Sequence, residues 1–78
     1  MLKARDKRYL KKFGDLVKDI RKDKHLSLRE LSYSCNIDYS KIGKIEKGEI
    51  NITFSTILEL SRGLEIHPKL LMNFEFIE

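Results

Sequence analysis

The sequence predicts a single, compact, all-helical domain built from five short helices. Apolar residues recur at steps of three and four positions along most of the chain, which is the spacing of one helix face. Residues suited to cap helix ends stand between these apolar stretches. No alternating run is long enough for a strand, and a chain of 78 residues allows one domain.

The first two helices are separated by a short polar turn. The first is predicted from about residue 6 to about residue 24, with its end near Lys24 and a left-handed His25. Ser27 and Glu30 have the spacing of a capping box, which starts a second helix at Leu28 and continues it to residue 35. The apolar face of the first helix comprises Tyr9, Leu10, Phe13, Leu16, Val17 and Ile20.

Residues 36–38 are predicted to form a tight turn before a third helix over 39–47. Asn36 tolerates a left-handed conformation and is expected to adopt one there. Asp38 is a good N-cap, and Gly48 terminates the helix. Cys35, on the core face of the second helix, is expected to be a small core residue rather than a reactive thiol.

Two further helices complete the predicted fold. Thr53 can cap the fourth, and Pro68 suits the first position of the fifth. The inner side of the fourth carries Phe54, Ile57, Leu58, Leu60, Ser61 and Leu64, and the fifth carries Leu70, Leu71, Met72 and Phe74.

Charge is distributed unevenly along the chain. Residues 1–12 hold six Lys or Arg and one Asp, residues 13–48 hold eight against six, and residues 49–78 hold two against five. The segments therefore carry +5, +2 and −3, so a polyanionic partner would meet the first two. The alternative for residues 1–12 is a solvated basic end. If these residues do meet a polyanion, they could track its phosphates as an arm or as an extended first helix.

Several classes of protein are disfavoured by what the sequence lacks. One cysteine allows no internal disulfide, and no Cys/His cluster has metal-ligand spacing, so neither a metal nor a cofactor is expected. The two histidines and four glycines stand singly, which argues against an enzyme, and no small-molecule ligand is indicated. No apolar stretch has the length of a signal peptide or membrane span, so a cytoplasmic protein is expected.

The second and third helices, 28–35 and 39–47, have the dimensions of a helix-turn-helix, whose second helix enters the major groove of DNA. Ile42 and Ile45 would point to the core. The opposite face is polar and basic, which suits a groove, although a solvated helix surface can look the same. It carries Tyr39, Ser40, Gly43, Lys44 and Lys47.

The stretch LSLRELSYSCNIDYSKIGKIEKG, from Leu26 to Gly48, resembles the Cro/C1-type (XRE) helix-turn-helix. The similarity continues in residues 51–68 and in FGDLVKDIRKDK, residues 13–24, and it covers residues 13 to 74. It implies a lambda-repressor-like fold, sequence-specific binding of double-stranded DNA and regulation of transcription. The anchors that keep their spacing are Leu31, Ile37, Ile42, Ile45, Glu46, Gly48, Leu60, Leu64 and Pro68.

The resemblance also implies roles for individual residues. Tyr39, Ser40 and Lys44 would read bases, with Lys41 and Lys47 at or beside phosphates. Backbone contacts on either side would come from Ser27, Arg29, Asn51 and Thr53. A largely buried ion pair would join Arg21 and Glu46.

Three departures from the family pattern affect these roles. The frequent Gln that braces the contact residues and touches a phosphate is Leu28, and the turn glycine is Asn36. The serine of the third helix is Gly43, which costs roughly 1 kcal/mol in a helix interior relative to Ala. Either a close backbone approach to DNA or drift explains that glycine.

The apolar segment 68–78 predicts a homodimer centred on Leu70, Met72 and Phe74, with Leu64, Ile66 and Leu71 in the protomer core. Such a dimer would bind a pseudo-palindromic operator. Chain length, the basic end and EKGEINIT most resemble restriction-modification controller proteins. An antitoxin, or an interaction module that captures a partner through the apolar segment, remains the alternative.

Overall fold

The computed structural model describes residues 3–78. The elements are α1 (Ala4–Asp23), α2 (Leu28–Ser34), α3 (Tyr39–Glu46), α4 (Phe54–Leu64) and a 3₁₀ helix (Pro68–Met72). No strand occurs within this range, so the predicted all-helical fold is confirmed. The fifth predicted helix is a single 3₁₀ helix rather than an α-helix.

Local capping accounts for most of the helix boundaries. The Ser27 hydroxyl accepts from the Glu30 N–H at 3.0 Å, and the Glu30 carboxylate accepts from the Ser27 N–H at 2.8 Å, as the capping box predicts. Thr53 caps α4 by accepting from the N–H of Thr56. His25 is left-handed after α1, with φ of 59°, and Gly48 is left-handed after α3, with φ of 71°. The local signals therefore confirm four predicted boundaries.

The basic end of the chain continues α1 rather than preceding it. α1 begins at Ala4, with Lys3 as its N-cap, and runs for 20 residues. Its first two turns expose Lys3, Arg5, Lys7 and Arg8 to solvent. Of the two forms considered for residues 1–12, the structure contains the extended helix; Met1 and Leu2 lie outside the described residues.

The turn between α2 and α3 differs from its prediction. Asn36 is not left-handed: within residues 3–78, the non-glycine residues with positive φ are His25 and Glu65. Cys35 instead ends α2 in an extended conformation, and the N–H of Asn36 donates to Glu59 Oε1 at 3.1 Å. A carboxylate on α4 thus satisfies the turn, so no left-handed residue is needed there.

A single core joins all four helices and the 3₁₀ helix. Its buried apolar residues are Phe13, Val17, Leu31, Ile37, Ile42, Ile45, Leu60, Leu64 and Leu71. Phe54, expected on the inner side of α4, is 73% exposed because it stands in the first turn, before the packed part of the helix. Leu64 and Leu71 lie in the protomer core as predicted, whereas Ile66 is only partly buried.

Gly14 permits the close crossing of α1 and α3. A Cβ atom built on Gly14 would lie 2.3 Å from the carbonyl oxygen of Ile45 and 2.6 Å from that of Glu46. Both neighbours are backbone atoms of α3, which cannot rotate away as a side chain can. The absence of a side chain at Gly14 therefore sets how closely α3 is held against α1.

The chain ends by folding back onto α1. Pro68 begins the 3₁₀ helix, and residues 73–78 then reach Tyr9. The Tyr9 hydroxyl donates to the carbonyl of Ile77 and accepts from its N–H, and the Phe76 ring lies 4.8 Å from the Tyr9 ring. Among the helices described, none is long and apolar enough to cross a membrane.

Candidate nucleic-acid interface

α3 presents a basic face opposite its buried face. Ile42, Ile45 and Glu46 are buried, and the one acidic residue of α3 thus points inward. Because no carboxylate of α3 opposes the outward lysines, this face attracts an anionic ligand. The exposed outward residues are Tyr39, Ser40, Lys41, Lys44 and Lys47, with Gly43 half-buried among them.

The first turn of α3 is ordered by Asp38. Its carboxylate accepts from the backbone N–H of Ser40 at 3.0 Å and from the Ser40 hydroxyl. Hydrogen bonds from the Ser40 side chain and backbone hold the pKa of Asp38 below its usual value. Because the hydroxyl proton of Ser40 is engaged, its oxygen is free to accept from a base amino group.

Arg29 and Tyr39 join the starts of α2 and α3. The guanidinium carbon of Arg29 lies 4.2 Å from the centroid of the Tyr39 ring, and Arg29 Nη2 donates to the Tyr39 hydroxyl at 3.2 Å. Both side chains are exposed. The sequence did not reveal this contact because the two residues stand on different helices, ten positions apart.

The three flanking residues with short polar side chains hold local structure. Ser27 and Thr53 use their hydroxyl oxygens as helix-cap acceptors. The Asn51 side-chain oxygen accepts from the N–H of Ile52, which leaves the Asn51 amide N–H groups available to a phosphate. All three are exposed beside the helix-turn-helix.

Arg21 and Glu46 form a buried ion pair beneath the basic face. Arg21 Nε donates to Glu46 Oε2 at 2.7 Å, and Nη2 donates to Oε1 at 3.1 Å. Nη1 of Arg21 donates to the carbonyl of Leu26 at 2.7 Å. Relative exposures of 8% and 5% show that both residues are buried. The pair joins α1 to α3 and so holds the basic face of α3 in position.

A cleft of about 330 Å³ between α1 and α3 adds two cations that sequence reasoning missed. Lys18 and Lys22 stand four residues apart on α1 and share this cleft with Lys47. Leu28 also lines it, at the position where the family frequently has a phosphate-binding Gln. Their four-residue spacing already indicates that Lys18 and Lys22 share one side of α1. Only the packing of α1 on α3 places these two lysines beside the basic face.

The predicted dimer residues differ in how much of their surface is free. Leu70 is 42% exposed and Met72 is 53% exposed. Phe74 is half-buried and packs on its own chain, with its ring 6.0 Å from the Tyr9 ring. Leu70 and Met72 therefore offer more surface to another chain than Phe74 does.

The helix-turn-helix family model matches residues 17–71, which is more than half of the chain. The chain belongs to the helix-turn-helix family, in its Cro/C1 (XRE) form. The match begins within α1, so the basic first turns lie outside it. Among residues 3–78, no group of three His, Cys, Asp or Glu side chains is placed to hold a metal ion.

Within this family, the chain is similar to restriction-modification controller proteins. It is 33% identical over 66 residues to the control protein C.BamHI of Bacillus amyloliquefaciens, covering 83% of this chain and 82% of that protein. The crystal structure of the controller protein C.AhdI from Aeromonas hydrophila aligns with a TM-score of 0.79 and 34% identity, covering 82% of this chain and 97% of that one. The C.Esp1396I controller, solved as a tetramer in complex with its 35-base-pair operator, aligns with a TM-score of 0.75 and 28% identity, covering 81% and 83%.

Proposed function

We propose that this protein is a homodimeric transcriptional regulator of the restriction-modification controller type, which binds double-stranded operator DNA in the cytoplasm and catalyses no reaction. The observation that supports DNA binding most directly is the exposed face of α3, where three lysines face outward while the one carboxylate is buried. Similarity to controller proteins, one of them solved on its operator, supports the same function.

In this proposal α3 enters the major groove, and its residues divide into base and phosphate contacts. Lys44, in the middle of the outward face, donates to a guanine edge, while Lys47, at the end of α3, meets a phosphate. Tyr39, Ser40 and Gly43 lie against the bases. The flanking backbone contacts come from Ser27, Arg29, Lys41, Asn51 and Thr53.

The roles of Lys44 and Lys47 can be distinguished by measuring affinity for operator and random duplexes by fluorescence anisotropy. Lys44→Ala should cost roughly 1–3 kcal/mol on the operator and relax preference at one base pair. Lys47→Ala should weaken both duplexes alike and lower the salt dependence. Lys24→Ala, at an exposed lysine that follows α1, is the matched control. Equal losses on both duplexes for Lys44→Ala would contradict its role in base recognition.

Lys18 and Lys22 extend the phosphate-binding surface along α1. Replacing both by Gln removes four lysines from each dimer and should flatten the slope of log K against log salt by about 3.6, since each neutralised phosphate contributes about 0.9. Lys24→Gln with Arg62→Gln removes the same charge away from the cleft and from the 3₁₀ helix, and it should leave the slope unchanged. Identical slopes for the two double variants would show that net charge, rather than the cleft, governs binding.

The contribution of the basic first turns of α1 can also be measured from the slope of log K against log salt. Deleting residues 2–8 removes four cations and should lower the salt slope without changing sequence preference. An unchanged slope would leave these residues as a solvated helix end.

Dimerisation is proposed to use the exposed apolar residues of the 3₁₀ helix. The residues around the 3₁₀ helix, 65–78, hold three Glu and one Lys, so this part of the chain should lie away from DNA and leave the two α3 helices about 34 Å apart on the operator. Leu70→Asp with Met72→Asp should give a monomer in sedimentation equilibrium at micromolar concentration. Phe74→Asp would be less informative because that ring also packs on Tyr9.

Tyr33→Asp is the control for the dimer, since Tyr33 is 79% exposed on α2. A double variant that still dimerises and binds normally would overturn the proposed interface. The competing interpretation as an interaction module predicts that the wild type shows little salt-sensitive affinity for duplex DNA, whereas an antitoxin would be indicated by an adjacent toxin gene.

A further inference from the structure

Arg29 and Tyr39 are held together before any ligand is bound. Arg29 stacks on the Tyr39 ring and donates one hydrogen bond to its hydroxyl. An arginine on an aromatic face gains cation–π attraction and loses rotamer freedom, so less entropy is lost when it binds a ligand. The guanidinium still has four N–H donors available, because only one of its five is used by Tyr39.

The position of this pair favours bases over phosphates. Tyr39 is the first residue of α3, and the first residues of a recognition helix are those that reach base edges. The hydroxyl of Ser40, its neighbour, donates its hydrogen bond to the Asp38 carboxylate, so towards a base it can only accept. A site that reads guanine needs donors, and Arg29 supplies them in a planar fork that matches the O6 and N7 acceptors.

We propose that Arg29, which comes from α2, is a specificity-determining residue that donates to a guanine edge, and that Tyr39 is the residue that positions it. This inference rests on the proposed function and goes beyond it, because Arg29 was assigned to the DNA backbone and Tyr39 was assigned to direct base contact. Arg29 requires a base edge with two hydrogen-bond acceptors in one plane. This base would lie in the part of the operator half-site that the first turn of α3 contacts.

Arg29→Lys separates a guanine contact from a phosphate contact. Lysine keeps the charge but loses both the fork and the stack. The wild type and the variant would each select from a pool of random-sequence duplexes, and affinities would be measured on the selected operator and on random DNA. We expect a loss of roughly 10- to 100-fold on the operator, relaxed preference at one base pair, and unchanged affinity for random DNA.

Arg62→Lys is the matched control, because Arg62 is exposed on α4 and pairs with Glu59. Unfolding midpoints of both variants should equal that of the wild type. If Arg29→Lys selects the same operator with the same affinity, Arg29 acts as a point charge on a phosphate and the inference fails. If the wild type itself selects no consensus, the proposed function fails instead.

Substitutions at Tyr39 test the positioning role. Tyr39→Phe keeps the ring and removes the hydroxyl acceptor, so it should cause a smaller loss than Tyr39→Leu, which removes the stack. Tyr39→Leu should relax preference at the same base pair as Arg29→Lys, and the double variant should lose less than the sum of the two. Relaxation at a different base pair, or strict additivity, would show that the two side chains act separately.

Discussion

Removal of the buried carboxylate of Glu46 is the perturbation whose size follows most directly from the structure. Glu46→Ala deletes both acceptors of Arg21, at 2.7 and 3.1 Å, and leaves the guanidinium at 8% exposure with only the carbonyl of Leu26 as its acceptor. Breaking a buried pair on one side costs about 3–5 kcal/mol, because one charge stays buried without compensation.

That loss is large for so small a domain. A stability of about 0.05–0.15 kcal/mol per residue corresponds to about 4–12 kcal/mol for 78 residues. Each kcal/mol lowers the unfolding temperature of a domain this size by roughly 4–8 °C, so we expect Glu46→Ala to lower it by at least about 12 °C. Urea unfolding should show a lower midpoint with an unchanged m-value.

Two companion variants identify the cause. Glu46→Gln keeps an acceptor for Arg21 and should lose less than Glu46→Ala. Arg21→Met with Glu46→Leu removes both charges and fills the space with apolar atoms, so it should recover much of the stability. The reasoning is refuted if Glu46→Ala loses less than about 1 kcal/mol, the value of an ordinary neutral hydrogen bond.

The remaining predictions concern two glycines, one cap and one thiol. Gly14→Ala should destabilise by about 1–3 kcal/mol, because its Cβ meets the backbone of α3. Gly43→Ala should stabilise the fold by about 1 kcal/mol, because the atom nearest to the added Cβ lies 3.7 Å away on the side chain of Leu28. Urea unfolding measures the effect of both substitutions. Weaker operator binding for Gly43→Ala would show that DNA lies against the helix backbone at this position. Folding lowers the pKa of the Asp38 carboxyl group, so its carboxylate stabilises α3 at pH values above the usual pKa of 3.8, and this stabilisation is lost as the pH falls through the lowered pKa. The difference in the free energy of unfolding between the wild type and Asp38→Asn should therefore vanish in acid. A difference that does not depend on pH would refute this prediction. Burial raises the pKa of the Cys35 thiol, so it should react with a disulfide reagent more slowly at neutral pH in the folded than in the urea-unfolded protein, and equal rates would contradict this.

Helix boundaries were predictable wherever neighbouring residues alone satisfy the backbone. Ser27 with Glu30, Asp38 with Ser40, and the left-handed Gly48 all act within four positions, so the sequence contains the whole interaction. The same locality explains why the third helix and its outward lysines could be placed from spacing alone. The pairing of Arg21 with Glu46 was implied by resemblance to a family, since nothing local joins residues 25 positions apart.

Contacts between elements were decided by the tertiary structure. The carboxylate of Glu59 on α4 satisfies the turn at Asn36, which the sequence alone predicted as left-handed. From the sequence, Gly14 is only a residue of low helix propensity. The structure shows why it is a glycine, because a Cβ atom there would lie 2.3 Å from the backbone of α3.

The candidate site divides in the same way. The sequence determined the charge and the periodicity of α3, because both are properties of consecutive residues. Only the packing of α1 and α2 against α3 brought Lys18 and Lys22 into one cleft with Lys47, and Arg29 onto the ring of Tyr39. The physical reason is that such contacts depend on how closely and at what angle helices cross, and that is set by the core and the glycine beneath them.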